Sequence, residues 1–98
     1  MTSTRKALVR STLREFIAYL RSMEGDDQSL GMRAADNLET TLTSLESDFD
    51  SAVPRLTCDI GGKGILDWAF TGESQQGVQK FCDRLWNLIH PRWWAFWK

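Results

Sequence analysis

Residues able to do covalent chemistry are few in this chain, and their spacing assembles no reaction centre. The one histidine, His90, follows Cys82 by eight residues. On a helix that separation is about 12 Å along the axis and a different face, so the two form no local nucleophile–base pair. Cys58 is the other thiol, and a long-range pairing of Cys58 with His90 stays open on sequence alone. One histidine and two isolated cysteines have no zinc-ligand spacing. The acidic residues contain no DxDxDG calcium loop. Gly61, Gly62, Lys63 and Gly64 invite a phosphate-loop reading, yet the spacing GxxxxGK followed by Ser or Thr is missing. A turn is the better account of them. The expectation is a non-enzyme with no catalytic residue, no metal and no cofactor.

Binding chemistry is better represented. Trp93, Trp94, Phe96 and Trp97 lie between Arg92 and Lys98, and Trp86 stands upstream of them. Tryptophan and arginine are the side chains that most often anchor a protein interface. The same mixture also suits a membrane surface, with rings at headgroup depth and cations on lipid phosphate. It equally suits a tail folded back onto its own core. A second candidate is the stripe Lys6, Arg10, Arg14 and Arg21, whose cations fall on one edge of a helix and could follow a nucleic-acid backbone. The competing reading has those cations neutralised by carboxylates of a neighbouring helix.

These residues need elements to hold them, and the apolar spacing supplies helices. Val9, Leu13, Phe16, Ile17, Leu20 and Met23 share one arc, which predicts a helix over 4–23 capped by Thr2, Ser3 or Thr4 and ended by Gly25. Ala35, Leu38, Leu42, Leu45, Phe49 and Ala52 share another, with Glu39, Glu46 and Asp50 beside it. That predicts a helix over 29–53, capped from Asp26, Asp27 or Ser29 and stopped by Pro54. The short polar link between them makes the two helices antiparallel neighbours.

Charge supports that pairing. Arg5 and Lys6 sit in the first turn of helix one, and Asp48 and Asp50 at the end of helix two, each against its own helix dipole. An antiparallel hairpin sets Lys6 and Arg10 near Glu46 and Asp50. Residues 55–70 read as a β-hairpin, because Leu56, Cys58 and Ile60 alternate, glycines follow, and Leu66, Trp68 and Phe70 alternate again. A third helix is predicted over 74–90 from Val78, Phe81, Cys82, Leu85, Leu88 and Ile89. Pro91 stops or kinks it, and the aromatic tail occupies 91–98.

The expected architecture is therefore mainly α, formally α+β: an antiparallel helical hairpin, a small β-hairpin, a third helix and a Trp-rich tail. The 98 residues suit a single domain over 1–98. At 42% hydrophobic and 26% charged the composition is that of an ordinary globular protein. The net charge of −1 argues against generic polyanion binding, although the charges are segregated in blocks. No secretory leader and no membrane-spanning run is visible, and Cys58 and Cys82 read as reduced thiols, which together predict a cytoplasmic protein. The function expected is a small interaction module, an adaptor or inhibitor masking a larger protein partner. Second comes a nucleic-acid-backbone binder using Lys6, Arg10, Arg14 and Arg21, with a second copy of the chain doubling its footprint. Third is membrane-surface attachment through the tail. No small-molecule substrate is expected.

Overall fold

The computed structural model describes residues 3–61, 64–65, 68 and 70–89. Among them the chain forms four α-helices: α1 (Ser3–Arg21), α2 (Gln28–Ser47), α3 (Phe49–Ile60) and α4 (Gly72–Ile89). A 3₁₀ turn, Gly25–Asp27, leads into α2. It starts at Gly25, whose φ of 65° is left-handed and favours glycine.

Helix α1 lies between two antiparallel neighbours, and side-chain pairs fix both directions. Toward α2 and α3, Lys6 meets Asp50, Arg14 meets Glu46, and Arg21 meets Asp36 and Glu39. Toward α4, Arg5 meets Leu88, Glu15 meets Arg84, and Phe16 stacks on Phe81. In each series one residue number rises as the other falls. Exposed ion pairs contribute only about 0–1 kcal/mol apiece, so they select orientation more than they stabilise. Stability rests on burial. Phe16, Leu13, Leu20, Leu38, Leu45, Leu56, Ile60 and Leu85 are essentially inaccessible, and each such side chain contributes roughly 1.5–3 kcal/mol.

The crossing of α1 and α2 depends on a missing side chain. A Cβ on Gly31 would collide with the backbone carbonyl oxygen of Leu20, which has no rotamer to relieve the clash. Gly31→Ala is therefore expected to destabilise by about 1–3 kcal/mol, although alanine is the better helix former. Urea unfolding checks this; a more stable variant would contradict the close approach.

The β-hairpin expected over 55–70 is not formed, and the described residues contain no strand. Residues 55–60 belong to α3, whose buried side chains Phe49, Ala52, Leu56 and Ile60 follow helical steps of three and four. Cys58, the middle of the supposed alternation, is exposed. Beyond α3 the backbone bonds are local: Gly64 N donates to Gly61 O, Trp68 N to Ile65 O and Phe70 N to Trp68 O. Those are turns closing over two or three residues, not a ladder between strands. Ile65 and Phe70 are buried and join the core.

The second helix also ends earlier than expected. It breaks at Asp48, whose backbone is extended at φ −151° and ψ 92°, and Pro54 lies inside α3 rather than stopping α2. Thr40, Thr43 and Ser44 each donate a hydroxyl bond to the carbonyl four residues back. Such bonding weakens and bends a helix, and the break follows that run. Pro54, the sixth residue of α3, withdraws the ladder donor to Asp50 and crowds that carbonyl, yet the helix continues through it. After the break α3 turns back along α2, so that Asp59 and Arg55 both reach Thr41.

Candidate functional site

Two groups of residues were expected to bind, and the structure treats them differently. Of the aromatic group, Trp86 lies on α4 and is 37% exposed. Arg92, Trp93, Trp94, Phe96 and Trp97 lie outside the described residues, as does His90. Among the described residues, Leu8 and Met32 are the other exposed large apolar side chains, and they sit on α1 and α2. The three therefore stand on three different helices.

The basic stripe is fully placed, and each cation has company. Lys6 Nζ is 4.0 Å from Asp50 Oδ1 and 5.4 Å from the centre of the Phe49 ring. The Arg10 guanidinium lies 5.9 Å from the same ring. Arg14 donates to Glu46 at 2.9 Å. Arg21 reaches Glu39 at 2.8 Å and Asp36 at 3.2 Å. The hydrogen bond to Glu39 is the main reason its pKa rises above the ordinary arginine value. Arg5, first expected among the cations at the wrong end of α1, donates to the Leu88 carbonyl at 3.1 Å. That places it at the C-terminal end of α4, where the dipole favours a cation.

The polar contacts that sequence reasoning missed are all long-range. Asp27 is buried, and its carboxylate caps nothing in α2. It accepts from the Thr71 amide at 3.1 Å and the Thr71 hydroxyl at 2.7 Å, tying the entrance of α4 to the α1–α2 link. The Thr71 hydroxyl, then Ser74, hold its pKa below the ordinary 3.8, outweighing burial. A group with a depressed native pKa stabilises the fold above its unfolded pKa and loses that effect as pH falls through the native value. The stability gap between the wild type and Asp27→Asn is therefore expected to be full above pH 3.8 and to close below it. Thermal melts across that range check it; a gap that widens in acid would contradict the assignment.

The second missed cluster joins α2 to α3. Thr41 is fully buried, donates to the Asp59 carboxylate and accepts from Arg55 Nε at 3.1 Å. Burial raises the Asp59 pKa, against the pull of Thr41 and Arg55. Beside it, at the elbow, an open cleft of about 440 Å³ is lined by Thr43, Ser44, Ser47, Asp48, Ser51, Ala52 and Arg55. No signal short of knowing that the chain reverses at Asp48 could have found either feature.

No family model, curated protein or solved structure matches this chain. The arrangement is judged on its chemistry alone. Cys82 is buried, and desolvation, with Asp83 adding to it, pushes its thiol pKa up to about 12. That makes it a packing group rather than a nucleophile. Among the described residues no three His, Cys, Asp or Glu side chains gather to hold a metal ion. Among the same residues no helix is long and apolar enough to cross a membrane.

Proposed function

We propose that the chain is a small non-enzymatic interaction module, an adaptor or inhibitor that binds a larger protein and masks part of its surface. Trp93, Trp94, Phe96 and Trp97, with Arg92 and Trp86, serve as its anchors. The reading is supported above all by the engagement of the α1 cations. Lys6, Arg14 and Arg21 face carboxylates of α2 and α3, and Arg10 faces Phe49, so the stripe's charge is largely met within the chain. That leaves the nucleic-acid alternative with less to stand on, and the aromatic cluster as the more concentrated binding chemistry. The setting proposed is the reducing cytoplasm, in keeping with two free thiols.

Replacing Trp93 and Trp97 together by alanine is expected to weaken partner capture by at least about 30-fold, the loss of a pair of hot-spot residues. The thermal melt should stay where it was. An affinity pull-down with the full chain, this double variant and a chain ending at His90 makes the comparison. Recovery of the same partner by all three would overturn the proposal. So would unfolding of the truncated chain, because the tail would then be part of the core.

A further inference from the structure

The apolar seam of this protein passes through the bend at Asp48 without a change of register. At 100° per residue, the buried residues of α2 (Gly31, Ala34, Ala35, Leu38, Thr41 and Leu45) lie within about 120° of arc. Counted straight on through Asp48, the buried residues of α3 fall in that same arc: Phe49, Ala52, Leu56 and Ile60. Two helices that meet at an elbow have no need of a common phase. A single helix from Gln28 to Ile60 does.

The hydrogen bonds around the elbow are nearly those of such a helix. Asp48 N already donates to Ser44 O at 2.8 Å, and Ala52 N to Asp48 O at 3.2 Å. Only the first-turn amides of α3, on Phe49, Asp50 and Ser51, fall outside the ladder, and no side chain of Asp48 caps them. Turning one residue from extended to helical restores three ladder bonds. Pro54 adds no obstacle, since its relation to Asp50 is already helical.

A straight helix from Gln28 to Ile60 spans about 50 Å, whereas α1, with 19 residues, covers about 28 Å. Its second half carries Phe49, Ala52, Leu56 and Ile60 beyond the reach of its own α1, and α4 travels with it. The surface that fits this half is the α1–α2 face of another copy, because apart from the α3–α4 packing that travels with it, its contacts in the bent form lie on α1 and α2.

We infer that Asp48 is a domain-exchange hinge, and that two copies of this chain form a dimer by swapping α3 and α4. In the dimer the Phe16–Phe81 stack, the Thr41–Asp59 bond and the Asp27–Thr71 bond join different chains. A one-residue connection between two helices is the kind of short hinge that favours exchange. The bent form is held by the extended backbone of Asp48 and by the Ser51 hydroxyl, which donates to the Asp48 carboxylate at 2.7 Å. This inference does not rest on the aromatic tail.

The test compares Asp48→Ala with Asp48→Gly by sedimentation equilibrium. Alanine favours the helical hinge and glycine the extended one, and each dimer contains two hinges. The dimer dissociation constant is expected to be about 30-fold tighter for the alanine variant. Ser51→Ala should move it in the same direction as alanine at the hinge. Exchange itself is read with Glu15→Cys and Arg84→Cys, two exposed positions 3.9 Å apart at their charged ends, placed together in a Cys58→Ser, Cys82→Ser background. A short bismaleimide should join the two cysteines within a chain in the monomer fraction and between chains in the dimer fraction. Monomers throughout the accessible concentration range for both hinge variants would overturn the inference. So would a dimer in which the link stays within each chain.

Discussion

Phe16→Ala is expected to cost about 3–5 kcal/mol of unfolding free energy, the usual range for deleting a buried phenyl ring. Phe16 is fully inaccessible on α1, and its ring stacks on that of Phe81 with centroids 5.0 Å apart and planes 3° from parallel. Tyr19 leans on the same Phe81 ring at 5.5 Å. One substitution therefore opens a cavity and removes the closer of two aromatic contacts that join α1 to α4. A chain of this length holds its fold by about 5–15 kcal/mol, so much of the margin goes at once. The melting temperature should fall by roughly 20 °C. Thermal and urea melts followed by circular dichroism make the check. A loss below the range for a surface substitution would mean that the two helices do not meet there.

Thiol labelling should divide the two cysteines by orders of magnitude. Cys58 is exposed on α3, while Cys82 is 1% accessible on the core face of α4. With its pKa at about 12 rather than 9.0, Cys82 holds roughly a thousandfold less thiolate near neutral pH, before access is considered. Native protein should release one equivalent of thionitrobenzoate promptly and a second only on unfolding. Cys58→Ser should abolish the prompt phase. Two equal prompt equivalents would place Cys82 at the surface, and none would mean that the thiols are joined.

Much of the helical framework was legible because burial repeats with the helical period. The seams of α1, the first part of α2 and α4 fall where spacing put them, and the cross-helix charges of Lys6, Arg14 and Arg21 follow from the same pattern. What escaped was non-local. The α2 seam runs in phase through Asp48, so no periodic signal marks the bend there. Pro54 reads as a stop, but the helix runs through it despite a lost ladder bond and crowding at the Asp50 carbonyl. Leu56, Cys58 and Ile60 alternate over a short run, and a short apolar run does not separate strand from helix. Asp27 reads as a cap because local rules see only the helix that follows it, whereas its partner Thr71 arrives from far along the chain. The expected aromatic anchors other than Trp86 lie outside the described residues, so their part in binding rests on residue type.

The account depends most on residues 49–60 being a helix that turns back along α2. Cα secondary chemical shifts from Ser44 to Ile60, read with nuclear Overhauser contacts between the side chains of Thr41 and Arg55, test that directly. The structure predicts helical shifts on both sides of a single non-helical residue at Asp48, together with Thr41–Arg55 contacts. Strand-like shifts over 55–60, with contacts from Leu56 or Ile60 to Trp68 or Phe70 across a ladder, would contradict it.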